Sequence, residues 1–432
     1  MSKLYLARMI CVTFIFWAAA TISSSAQTLT TLVSFDGTNG KSPQSLMHAS
    51  DGNFYGVTSS GGANGDYGTI FKITPDGVLT TLYSFCSQTN CTDGEDPIGT
   101  LLQAKDGNFY GTTYLGGSNC VSGNLSNTGC GTVFKITPDG QFTSLYSFCP
   151  AVGYFSCPDG ATPYGALIQG ADGNLYGTTP SGGNNAADNG CACQGFGTVF
   201  KITTSGQLTT MFQFCNDMNS TGYCLDGAVP FAGLLQTSDG SFYGTLYNGG
   251  TGTDFSGGTV YKLSSSWKLT TLHNFGSKRN WTDGAYPFDS LIQAKDGNFY
   301  GTTRNGGYGG TLGQGTVFKI TPAGVLTTLH RFHGGEGGAP YASLIQGSNG
   351  NLYGTNSSGG PYSSQGIAAG TIFKVTTTGQ EGTVYAFCSL TNCTDGYAPT
   401  SGLVQGTNGD FYGVTYSGGA SNNGTVYKIS LH

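Results

Sequence analysis

Past residue 26, apolar residues arrive in short runs that alternate with threonine, serine and glycine, and a Gly, Asn, Asp or Pro turn signal closes each run. Alternation of this kind marks short strands, and no stretch beyond the first residues sustains a 3.6-residue period. One stretch shows the unit well. An apolar strand a near 97–104 leads into the turn Lys105-Asp106-Gly107-Asn108, then strand b at 109–113 and strand c at 132–137. Pro138-Asp139-Gly140 turns the chain into strand d at 141–148. Asp-Gly between short apolar runs is a hairpin signal, because glycine adopts positive φ at little cost.

The unit recurs seven times. Tyr-Gly-Thr/Val-Thr or a close variant begins at Tyr55, Tyr110, Tyr176, Tyr243, Tyr300, Tyr353 and Tyr412, spaced 53 to 67 residues apart. Gly-Thr-Val/Ile-Phe/Tyr-Lys places its lysine at Lys72, Lys135, Lys201, Lys262, Lys319, Lys374 and Lys428, and a Leu-Thr-Thr-Leu-Tyr-Ser-Phe pattern ends at Phe35, Phe85, Phe148, Phe214, Phe275, Phe332 and Phe387. Four-stranded units of this length predict an all-β, seven-bladed β-propeller with four strands per blade, in preference to a parallel solenoid, whose coils are shorter. The mature chain opens on an orphan strand d at 28–35 and ends on a strand c at 424–429, so the last blade is predicted to be closed by the N-terminal strand. Residues 27–432 are read as one domain.

The long pattern Gly-Gly … Gly-Thr-Val-Phe-Lys-Ile-Thr … Leu-Tyr-Ser-Phe … Asp-Gly-Asn-Phe-Tyr-Gly-Thr-Thr resembles the GloVer tandem-repeat family of exported bacterial proteins, across nearly all of 28–430. The resemblance implies export and a propeller-like fold, and it implies no chemistry. Many family members carry a C-terminal sorting anchor, whereas this chain ends at Leu431-His432 without a hydrophobic tail.

Composition adds the compartment. Lys3 and Arg8 flank the start of an apolar stretch, Met9 to Ile22, and Ser24-Ser25-Ala26 offers a cleavage site, so residues 1–26 read as a signal peptide and the mature protein as secreted, extracellular or periplasmic. No membrane span is expected after cleavage. The mature chain then has 15 basic against 23 acidic residues, a net −8, which opposes nucleic acid and anionic membrane as partners. It keeps 12 cysteines, an even number that reads as disulfides in an exported chain. Cys86/Cys91, Cys149/Cys157, Cys215/Cys224 and Cys388/Cys393 repeat one local pairing after strand d, and Cys120/Cys130 is expected to close a b–c loop. Cys191 and Cys193 lie one residue apart and stay open between a strained pair and a pairing across to blade two. Histidine is too scarce, and paired Cys-x-x-Cys knuckles are absent, for a zinc reading of the cysteines.

Symmetry separates scaffold from function. The seven lysines are expected to pack their stems between blades and to bring each ammonium to a turn carboxylate or carbonyl. Variation falls on the b–c loops 114–131 and 180–197 and the d–a loops 149–162 and 215–229, which share one face of the disc and make it the candidate binding face. Asn119, Tyr154, Phe155, Asp188 and Tyr223, with the symmetry-breaking Arg279, Trp281 and Arg304, are the candidate binding residues. Trp281 also stands where other blades carry their second cysteine, and filling that volume is its structural alternative. Asp93, Asp159, Asp226, Asp283, Glu336 and Asp395 recur four residues before the strand-a proline. They are the candidate ligands of a channel-mouth Ca²⁺, against the alternative that each caps its own turn. His330-x-x-His333 reads as strand packing.

No Gly-x-Ser-x-Gly elbow, His-Glu-x-x-His or phosphate-cradling loop occurs. The expected function is therefore a monomeric binding or interaction module for a glycan or an exported protein, with no required cofactor. The second reading is a propeller hydrolase or lyase acting on polysaccharide in the central channel. Paired acids and an arginine among the inward-facing strand-a residues would favour the enzyme. A smooth, uncharged channel would favour binding.

Overall fold

The computed structural model describes residues 27–118, 130–149, 157–183, 195–251, 257–309, 313–363 and 368–431. These residues form seven antiparallel sheets, six of them with their strands in sequence order from inner strand a to outer strand d. Blade one runs Lys41–His48, Phe54–Ser60, Thr69–Ile73 and Leu79–Ser84. In blade six strand a comes in two pieces, Gly338–Pro340 and Ile345–Gln346. Blade seven draws strands a to c from the C-terminus and strand d, Thr28–Ser34, from the N-terminus, so the predicted closure is present.

The conserved-looking tetrapeptide has a steric cause. Along the b–c ladder Gly111 faces Phe134 and Tyr110 faces Lys135, and the same register recurs in every blade. The Phe134 ring lies across the glycine, and a Cβ there would come within 2.5 Å of its Cζ. The strand-b tyrosine turns to the opposite face and meets the next blade: Tyr55 stacks on Phe109 at 4.1 Å between ring centroids. The hydrophobic clusters accordingly mix residues of neighbouring blades, as Phe85 with Phe134 and Ile136. Core formation and blade docking are one event, driven by burial of these aromatic faces.

The lysines behave as scaffold. Lys72 reaches Asp51 of the a–b turn at 3.2 Å and lies over the Tyr55 ring, while the Tyr55 hydroxyl donates to the same carboxylate at 2.9 Å. Lys262–Asp239 and Lys319–Asp296 repeat the pair at 3.3 and 2.9 Å. Burial alone would raise Asp51, but hydrogen bonds from Asn53, Tyr55 and Lys72 outweigh it and hold the carboxyl at about 2.

Strand a is shorter than expected. In blade two only Leu102–Gln103 pairs with strand b, because Pro97 has no N–H and the residues after it border the channel. Strand d begins one residue later than expected, at Phe142. Single 3₁₀ turns appear at Thr89–Cys91, Arg279–Trp281 and Thr391–Cys393. Among the described residues no helix is long and apolar enough to cross a membrane.

Candidate functional site

Each strand a passes its first residues along the central channel, a cavity of about 600 Å³. The residue after the strand-a proline divides the blades into two groups. Blades three to six supply Tyr164, Phe231, Phe288 and Tyr341, whereas blades seven, one and two supply Thr400, Gln44 and Ile98. The four rings touch in sequence: Tyr164–Phe231 at 5.3 Å, Phe231–Phe288 stacked at 4.9 Å, Phe288–Tyr341 at 4.6 Å. Arg304, at the start of a b–c loop, lays its guanidinium over Tyr341 at 4.6 Å. One side of the channel is thus an aromatic wall with a cation at its end, and the other mixes polar Gln44, Thr100 and Thr400 with aliphatic Ile98 and Leu46.

Two carboxylates line the channel. Asp96, on blade two, is pushed up to about 6 by burial and by the neighbouring Glu95. Asp289 stands where other blades have Gly, Ala or Ser, and it ties blade five to blade six by accepting the amides of Ser290 at 2.6 Å and Ser343 at 2.7 Å. It is half-buried at the channel wall, and the protein packed around it raises it despite those two amides. Burial, Tyr341, Asp289 and Asp96 together push Tyr164 well above the usual tyrosine range. The channel is neither smooth nor uncharged, and its acids are not those expected.

The six carboxylates expected at its mouth lie under the d–a loops, and none of them lines the channel. Asp93 accepts from the Tyr83 hydroxyl at 2.7 Å, the Ser87 amide at 2.9 Å and the Gln88 amide at 3.3 Å. Asp395 repeats this with Tyr385, Ser389 and Leu390. Asp159 accepts from Tyr146 and Cys149, and Asp226 from Asn216. In blades four and five a histidine replaces the tyrosine: His273 Nε2 is 3.1 Å from Asp283, and His330 Nε2 is 2.7 Å from Glu336. All of these acids except Asp226 bond a side chain of the outer strand and pin the loop to it, and Asp226 holds the amide of Asn216 within its own loop.

The four local disulfides, Cys86–Cys91, Cys149–Cys157, Cys215–Cys224 and Cys388–Cys393, are formed. Cys120, Cys191 and Cys193 lie outside the described residues, so the expected Cys120–Cys130 link does too. Cys130 Sγ is 3.9 Å from Cys157 Sγ. Asn119, Tyr154, Phe155 and Asp188 also fall outside the described residues. Tyr223 is half exposed on its loop, and Arg279 is exposed. Trp281 is buried, with its ring 3.1 Å from where a Gly276 Cβ would stand, so it occupies the space a disulfide takes elsewhere. Of the candidate binding residues that are described, Arg304 alone stacks on a ring of the aromatic wall. Reading the seven units column by column for the residue after the proline is the signal that locates the rest.

The fold and its one-sided channel define a closed seven-bladed propeller with a single asymmetric central site. By sequence the chain belongs to the Gloeobacter/Verrucomicrobia repeat family, whose pattern matches residues 18–250 and 219–427. No curated protein matches it in sequence. Among solved structures it is similar to a catalytically inactive virginiamycin B lyase from Staphylococcus aureus bound to quinupristin. That likeness has 14% identity and a TM-score of 0.57, covering 94% of this chain and 100% of that one. It is also similar to puromycin hydrolase, with 11% identity, a TM-score of 0.51 and coverage of 88% of this chain and 50% of that one. At such identities the likeness concerns the fold alone.

Proposed function

We propose that the protein is an exported propeller that binds a ring-bearing, glycan-like ligand in the mouth of its central channel. The observation that carries this reading is the run of four adjoining rings, Tyr164, Phe231, Phe288 and Tyr341, opposite a side without rings at that position, where Gln44, Thr100, Thr400 and Ser401 offer hydrogen-bonding groups beside Ile98. Sugar rings present an apolar C–H face and a polar rim, and a cavity with one aromatic and one hydrogen-bonding side receives both. The signal-like residues 1–26 and the four disulfides support export, because such bridges persist in oxidising compartments.

This reading puts the ligand in the channel and not on the long loops, much of which, at 119–129, 150–156 and 184–194, lies outside the described residues. A screen of the mature protein against a glycan array, followed by calorimetry on any hit, tests the reading. Phe231→Ala and Tyr341→Ala should each weaken binding at least tenfold. Retention of full affinity by both variants would remove the channel from the site.

Asp96 and Asp289 favour a second reading, a hydrolase or lyase acting on a polysaccharide, since a carboxyl near 6 can hold or release a proton at neutral pH. Both solved propellers of similar fold bear enzyme names, which is compatible with that reading and does not select it. Product formation from a bound glycan, lost in Asp289→Asn with binding retained, would establish it. Binding with no turnover would leave the protein a lectin-like module.

A further inference from the structure

Away from the channel, at the outer rim between blades five and six, three breaks in the sevenfold pattern meet in space. Where four blades carry Tyr or Phe near the end of strand d, blade five carries His330. Where five loops carry Asp, the loop after it carries Glu336, whose longer side chain reaches past the loop amides. The residue six positions before the Phe that ends the strand-d pattern is Leu or Phe in the other blades, as Leu79, Phe142, Leu208, Leu269, Leu326 and Leu29, and in blade six it is Glu381.

That position always packs on the end of the preceding strand d: Phe142 of blade two stacks on Tyr83 of blade one at 4.0 Å. The same geometry brings Glu381 onto His330. A ring nitrogen of His330 and one carboxylate oxygen each of Glu336 and Glu381 all lie within 4.8 Å of one another. His333, in the place of the first loop cysteine, brings its Nε2 to 3.4 Å from the other Glu336 oxygen. Oε1 of Glu381 is buried and accepts no hydrogen bond among the described residues.

Blade four is an internal comparison. It has the corresponding imidazole–carboxylate pair, His273 and Asp283 at 3.1 Å, but Leu326 fills the third position there. A histidine–acid pair is therefore sufficient to hold the loop, and loop anchoring does not account for a second carboxylate. Two carboxylates converging on one imidazole repel each other, and one of them has no protein donor.

We infer that His330, Glu336 and Glu381, with His333 as the outer ligand, form a binding site for a first-row divalent transition-metal ion, zinc foremost. Two imidazoles and two carboxylates are a zinc-type donor set, and calcium, which takes six or more oxygens, is poorly served by it. Bonds of about 2.1 Å at tetrahedral angles set ligand atoms about 3.4 Å apart, within the span of His330, Glu336 and Glu381, and His333 has to turn in from its place beside Glu336 to complete the set. His333 is 65% exposed at the side chain, so an ion from solution has a way in. The site bridges the outer strands of blade five and blade six, Leu326–Arg331 and Glu381–Ala386.

The test uses the untagged, disulfide-intact mature protein, stripped with a chelator and titrated with zinc chloride, with calcium chloride in parallel. Wild type should take up one zinc per chain with micromolar affinity or better and show a raised melting temperature, and calcium should do neither. Glu381→Leu copies the leucine of blade four, so it should fold as wild type without metal and lose at least tenfold in zinc affinity. His330→Tyr should lose as much. His273→Tyr, at the comparison position, should keep wild-type affinity. Absence of zinc uptake by the wild type, preference for calcium, or wild-type zinc affinity in Glu381→Leu would each overturn the inference.

Discussion

At the scale of the residue, the strand-b glycine shows how a repeated motif records a contact. A methyl group at Gly111 would meet the Phe134 ring at 2.5 Å, deep in a packed interface, so Gly111→Ala should destabilise by roughly 1–3 kcal/mol through overpacking. Thermal unfolding measures this, and an unchanged melting temperature would show that the ring moves freely. The channel acids make a different prediction. Asp96 has a folded pKa raised to about 6, so between about pH 4 and 6 the native state holds a proton that the unfolded chain releases. Its ionisation therefore costs stability as pH rises through that window, and the cost is fully present above it. Asp96→Asn removes that cost. The variant should gain roughly 1–2 kcal/mol over wild type above pH 6 and nothing below pH 4. A difference in melting temperature independent of pH would mean that Asp96 does not titrate in this way.

At the scale of the element, the d–a loop solves one problem with different chemistry. In blade one the loop returns on Cys86 at φ +56° and Cys91 at φ +52°, joined by a bridge. In blade four the same turn is made by Gly276 at φ +71° and Trp281 at φ +54°, with the indole in place of the sulfurs. Trp281→Ala should cost about 3 kcal/mol by leaving that volume unfilled. Changing Gly276 and Trp281 together to cysteine should form a fifth local bridge, visible as the loss of two hydrogens in the non-reduced mass, and recover much of the stability. Two free thiols in that double variant would show that the loops differ in backbone.

Trp281 was legible from sequence because it fell in a cysteine column. The strands, turns and closure were legible for the same reason, since seven copies average out local ambiguity. Asp289, Phe231 and Tyr341 were not found because attention to loop length passes over a column inside the scaffold. The approach of Glu381 to His330, 51 positions apart in sequence, depends on how one outer strand crosses the next. No spacing rule expresses that crossing.

At the scale of the molecule, the channel exists only because the ring is closed. Neighbouring blades are clasped by a strand-a glutamine that accepts an amide from the preceding a–b turn, as Gln103 from Ser50, Gln169 from Lys105 and Gln405 from Ser348. Blade one has His48 at that position, stacked on its own Phe54, so the seam with blade seven lacks this glutamine. The seam depends instead on the Phe54–Tyr412 contact at 4.1 Å and on Thr28–Ser34, paired along Thr425–Ser430. Deleting residues 28–34 should leave the edge of blade seven unpaired, lower the melting temperature by several degrees and drive the protein to larger species in solution. The aromatic wall stands on blades three to six and makes no contact with the deleted strand. Loss of ligand affinity in whatever monomer remains would therefore report the ring's rigidity and not a missing contact. A truncated protein that stays monomeric, melts as wild type and binds as wild type would show that the N-terminal strand decorates the ring without closing it.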